Sequence, residues 1–96
     1  MEKELVKVPN ATLDFYKYTK DGLTYYEFDA VECMPPEPMV NSMCGLLMLE
    51  NENDRLVGKF FHEPFPLYQK ISQKFQIKSN ELENGDFVVI FQKIKL

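Results

Sequence analysis

Proline placement constrains this chain more than any other feature. Cys33-Met34-Pro35-Pro36-Glu37-Pro38-Met39 and His62-Glu63-Pro64-Phe65-Pro66-Leu67-Tyr68 each lie between an extended apolar run and a helical one. Proline has no N–H and a fixed φ, so it is excluded from helix interiors yet suits a first helical turn, where the missing donor would be orphaned anyway. Both segments therefore read as strand-to-helix turns. In an open α/β layer such turns gather outside the carboxyl ends of strands, the usual seat of ligands and chemistry. The one histidine, His62, and one of the two cysteines, Cys33, fall in these two turns.

The flanking segments supply the strands. Residues 13–19 and 24–30 are rich in aromatic residues, and Asp21-Gly22 between them has the chemistry of a tight hairpin turn. In the second arm Tyr26, Phe28 and Ala30 share one face and Glu27 and Asp29 the other, the period-two pattern of a half-buried strand. Tyr16, Tyr18 and Tyr25 then point away from the core. Residues 56–61 form a third strand. Residues 76–83 and 87–95 flank Asn84-Gly85, which favours a type I′ turn and closes the chain as a hairpin. Residues 1–11, with mixed charge and Pro9, read as an irregular N-terminal arm ahead of one domain over 12–96.

Two helices are predicted, over about 36–49 and 65–75. On the first, Val40, Met43, Cys44 and Leu47 form an apolar stripe that Met39 and Leu46 broaden, with Glu37 complementing the positive end of the dipole. Gly45 inside it costs about 1 kcal/mol relative to alanine, which a close approach to the sheet would justify. On the second, Leu67, Ile71 and Phe75 recur at i, i+4 and i+8. The order β-β-α-β-α-β-β predicts an α+β two-layer sandwich, with both helices packed on one face of a mixed sheet because one small core must serve both stripes.

Composition excludes some functions. A net charge of −4 and scattered Lys and Arg give no basic stripe for phosphate backbones, so no nucleic-acid partner is expected. The charged start lacks the apolar stretch of a signal peptide, and no run approaches the roughly 18 apolar residues of a membrane span. A cytoplasmic protein with free thiols and no membrane partner is the expectation.

The candidate site residues are Cys33, as a tentative nucleophile, and Pro36, Glu37, Pro38, His62, Pro64 and Tyr68, as the lining of a ligand crevice. A helix N-terminus lowers a thiol's pKa, whereas Asp29, Glu32 and Glu37 nearby raise it; His62 could act as a base or a compensating cation. Cys33 is also readable as a small half-buried residue at a strand end, and His62 as a turn-shaping hydrogen-bond donor. Cys44 belongs to packing. His62 has conceivable metal partners in Cys33, Glu37 and Glu63, but no H-x₃-H or C-x₂-C spacing supports a site. No metal and no cofactor are expected.

Pro36-Glu37-Pro38-Met39, the strand before it, and the second strand, helix and closing hairpin resemble the TusA/SirA-like sulfur-carrier superfamily over about residues 24–94. That family's motif is Cys-Pro-x-Pro at the first helix. With His62-x-Pro64-x-Pro66-Leu67-Tyr68 added, the chain looks most like an uncharacterised branch, a domain of unknown function found in bacteria and archaea. Pro35 stands where the carriers have cysteine, and Cys33 lies two residues earlier. The resemblance implies a persulfide-carrying thiol if Cys33 fills the displaced role, with a sulfur-transfer or redox protein as partner.

Two readings lead. One is a sulfur-relay or redox carrier using Cys33. The other is a non-catalytic module binding a small ligand or a protein between the 35–39 and 62–68 turns. A hydrolase ranks last, because no nucleophile, base and orienter assemble from the sequence. A carrier or binding domain is expected rather than a stand-alone catalyst.

Overall fold

The structure is a computed structural model and describes residues 2–95. Its elements are β1 (Glu4–Val6), β2 (Phe15–Lys20), β3 (Leu23–Asp29), α1 (Glu37–Leu46), β4 (Asp54–Phe60), α2 (Phe65–Ile71), β5 (Phe75–Glu81) and β6 (Phe87–Lys93). The strands form one mixed sheet in the order β1-β2-β3-β4-β6-β5. Only the β3–β4 pair is parallel, because α1 carries the chain back across the sheet between them; the other pairs are antiparallel.

Strand alternation sets the faces as expected. Tyr26, Phe28 and Ala30 are buried, together with Leu56 and Phe60 of β4 and Val89 and Phe91 of β6. Leu46, Leu49, Leu67 and Ile71 from the helical side complete the same cluster, so both helices cover one face. Phe15 stacks on Phe28 with centroids 4.9 Å apart, and Phe60 meets Phe28 edge-on at 5.7 Å. The β2–β3 turn is the expected two-residue one: Asp21 and Gly22 have φ of 53° and 81°, the pair of left-handed positions that type I′ demands.

Four expectations are corrected. The N-terminal segment is not irregular throughout, since residues 4–6 add an edge strand to β2 with Leu5 opposite Tyr16. The closing hairpin is not a two-residue turn: Glu81 pairs with Phe87, and 82–86 form a longer loop. There Asp86 N–H donates to the Asn84 side chain and only Gly85 has positive φ. Asn84 thus acts through its amide rather than through its backbone. Phe75 is not part of the second helix; α2 stops at Ile71, and Phe75 opens β5 opposite Lys93.

The inward face of α1 is the fourth correction. Of the stripe Val40, Met43, Cys44 and Leu47, only Cys44 is buried, and Leu47 is 84% exposed. Leu46, at the margin of the predicted stripe, is buried as expected, and Asn41, Ser42 and Gly45 face the sheet in place of Val40, Met43 and Leu47. Small residues win because the helix lies too close for large ones: a Cβ on Gly45 would stand 2.6 Å from Leu56 Cδ1 and 2.9 Å from Phe15 Cε2. Close approach, foreseen at Gly45, therefore rotates the whole helix from the hydrophobic optimum. Two polar side chains enter the interior as a result, and both are satisfied. Ser42 Oγ donates to the Pro38 carbonyl at 2.7 Å. Asn41 accepts from the N–H groups of Thr12 and Leu13 and donates to Thr12 Oγ1 and the Glu37 carbonyl.

Among the described residues no helix is long and apolar enough to cross a membrane.

Candidate functional site

Parallel pairing of β3 with β4 puts Asp29 beside Lys59 at the carboxyl end of both strands. The Ala30 N–H extends the pairing to the Lys59 carbonyl at 2.8 Å. The two proline turns therefore leave from the same edge, side by side. In the first, Cys33 N–H donates to the Ala30 carbonyl at 3.1 Å and Glu37 N–H to that of Met34 at 3.0 Å. In the second, Phe65 N–H reaches the Glu63 carbonyl at 2.9 Å.

Between the turns lies a crevice of about 320 Å³. Ala30, Phe60 and Leu67, all buried, form its floor. Cys33, Pro35, Pro36, Pro38 and Met39 make one wall; Phe61, His62, Glu63, Pro64 and Pro66 make the other. The prolines serve twice here. They start the helices, and with no N–H they leave the walls without unsatisfied donors.

Of the sequence-derived site residues, Cys33, Pro36, Pro38, His62 and Pro64 border the crevice, and Glu37 and Tyr68 do not. The Glu37 carboxylate accepts the Thr12 hydroxyl at 2.8 Å and lies 3.9 Å from Cys33 Sγ, which makes it a brace between the loop before β2 and α1. Tyr68 acts from behind the wall. Its hydroxyl donates to Glu63 Oε2 at 3.0 Å, fixing the one carboxylate that lines the crevice, and its ring packs edge-on to Phe65. Burial first, and then the Glu63 carboxylate against a counteracting Ser79 hydrogen bond, push the Tyr68 hydroxyl up to about 12, so it remains a donor at physiological pH. His62 is exposed and stands edge-on to Phe61 at 4.5 Å.

Sequence reasoning missed Ala30, Phe60 and Phe61 as lining residues. The signal was present in the Phe60-Phe61 pair, since consecutive strand residues face opposite ways and one of two phenylalanines at a strand end must leave the core. Phe61 is 58% exposed at the mouth.

The electrostatics at Cys33 oppose activation. Burial raises its thiol pKa above the ordinary value, and the Glu37, Asp29 and Glu32 carboxylates raise it further. His62 is not among the groups that shift it. At neutral pH the group is a thiol. Among the described residues no three of His, Cys, Asp and Glu converge as metal ligands.

No family model, no curated protein and no solved structure matches this chain.

Proposed function

We propose that the chain is a binding module whose crevice between the 35–39 and 61–66 turns takes a small apolar or aromatic group. The observation that carries this reading is the lining itself: thirteen residues at the strand ends, with Glu63 and His62 the only titratable groups besides the Cys33 thiol. The volume falls at the lower end of the range of small-molecule pockets, and mostly apolar walls with a few fixed polar groups are their usual composition. Glu63, held by Tyr68, is the orienting group.

NMR titration with indole as the probe tests it. Amide signals of Ala30, Phe61, His62 and Leu67 should shift together, and Phe61→Ala should weaken the binding by roughly tenfold, the effect of removing an aromatic anchor. Cys33→Ser should leave it unchanged. Shifts scattered over the surface, or none at the crevice, would sink the proposal.

A sulfur-relay role for Cys33, with a sulfur-transfer or redox partner, is the second reading. It is favoured by the position of Cys33 in the crevice wall and by the strand and helix order, which supports placing the chain with the TusA/SirA-like proteins; the cytoplasmic setting such a role needs is part of the proposal. The raised pKa weighs against it. In a Cys44→Ser background, alkylation of Cys33 followed by intact mass should be slower at pH 7 than that of a free cysteine and should accelerate only on the alkaline side of the ordinary thiol pKa of about 8.5. Fast alkylation at neutral pH would restore the carrier reading.

A further inference from the structure

Among the described residues no element packs over the sheet face opposite the helices. Strand register places its side chains in rows. One row runs Leu5, Tyr16, Glu27, Val57, Ile90 and Lys78 from β1 to β5. A second runs Asp29, Lys59, Val88 and Asn80. In the third, Tyr18 pairs with Tyr25, which pairs with Arg55. The centre is apolar, since Val57, Val88 and Ile90 are only half-buried and Tyr16 is 38% exposed.

Charge on this face is divided by strand. The face-up residues of β3 are Tyr25, Glu27 and Asp29; those of β4 are Arg55, Val57 and Lys59. Glu27 has an intramolecular partner in Lys3, 2.7 Å away, and accepts from the Tyr18 hydroxyl. Asp29 has no lysine or arginine partner among the described residues, and neither Arg55 nor Lys59 has a carboxylate.

We infer that this face packs against the same face of a second copy, about a two-fold axis parallel to the strands. Charge selects the axis. With the axis across the strands, β3 would lie over β3 and β4 over β4, and Glu27 would meet Glu27 while Arg55 met Lys59. With the axis along them at the sheet centre, β3 of one copy lies over β4 of the other. Asp29 then faces Lys59, Tyr25 faces Arg55 for cation–π contact, and Tyr16 of β2 covers Ile90 of β6. Such a contact is isologous, each pair occurring twice. Strands of three, six and, for the other four, seven residues, at about 4.8 Å spacing and about 3.3 Å per residue, make a face on the order of 590 Å² in projection, at the low end of the range around the roughly 800 Å² per partner of a stable interface. An axis along the strands also keeps the carboxyl ends of β3 and β4 at the same end of both copies, so the two crevices open side by side.

Sedimentation velocity on the full chain, from micromolar to millimolar concentration, tests this. The wild type should show a concentration-dependent dimer. Val57→Lys should abolish it. Lys59→Glu should weaken it by about tenfold or more, and adding Asp29→Lys should restore it, because opposed charges again face each other across the contact. A monomer at every concentration overturns the inference without recourse to any variant. So does a dimer that survives Val57→Lys in a chain whose circular dichroism is that of the wild type.

Discussion

Phe28→Ala should lower the melting temperature by more than about 12 °C in differential scanning calorimetry. Phe28 is 2% exposed and is the middle of three rings, stacked on Phe15 at 4.9 Å and met edge-on by Phe60 at 5.7 Å. Its Cζ also fills the space over Gly58, where a Cβ would stand only 2.9 Å from it. Truncation removes the transfer free energy of the ring and leaves a cavity, which together cost about 3–5 kcal/mol. In a domain of this size each kcal/mol moves the melting temperature by about 4–8 °C. The loss is a large share of a total stability of about 5–15 kcal/mol. Phe60 also floors the crevice, so loosening its neighbour should broaden the Ala30 and Leu67 amide signals. Phe28→Leu, which keeps much of the volume, should cost clearly less. A melting temperature unchanged by Phe28→Ala would mean that the three-ring stack is not the centre of the core.

Asn41→Leu should destabilise by about 3–5 kcal/mol, although leucine is apolar and has a higher helix propensity. Asn41 is fully buried, and its Oδ1 accepts from Thr12 N–H at 2.9 Å and Leu13 N–H at 3.1 Å. Its Nδ2 donates to Thr12 Oγ1 at 2.8 Å and to the Glu37 carbonyl at 3.0 Å. Leucine would strand two backbone donors, at about 1–3 kcal/mol each, and would crowd a helix that already sits against the sheet. Urea unfolding should show the loss as a lower midpoint with little change in slope. Asn41→Asp keeps the acceptor for both N–H groups but sets an oxygen against the Glu37 carbonyl, so it should fall between wild type and Asn41→Leu. Wild-type stability in Asn41→Leu would show that the loop before β2 does not depend on this tether. The tether bears on the site as well, because the same loop braces Glu37, beside Cys33, through the Thr12 hydroxyl.

The predictable parts of this chain are those that local chemistry settles. Asp21-Gly22 can form its turn from two residues alone. The alternation of Tyr26, Phe28 and Ala30 has one consistent solution, because shifting it by one residue would bury Glu27 and Asp29. Proline cannot enter a helix interior or a central strand, which fixes where both helices begin and that the residues before them are turns. The crevice was legible for the same reason: two such turns after adjacent parallel strands must meet at one sheet edge.

The rest depended on distances that no local pattern contains. Whether α1 buries Val40, Met43 and Leu47 or Asn41, Ser42 and Gly45 is decided by how near the helix comes to Leu56 and Phe15, and steric contact there outweighs the stripe's hydrophobicity. Glu37 and Tyr68 lie in the predicted segments yet act from behind the walls, because Thr12 and Glu63 capture them. Phe75 fits a helical period and a strand start equally well, and pairing with Lys93 chose the strand. Sequence thus determined where the chain turns and which sheet face is apolar, since those follow from single residues and nearest neighbours. Only the tertiary structure decided which side chains fill the space between the layers, because that volume is set by residues far apart in the chain.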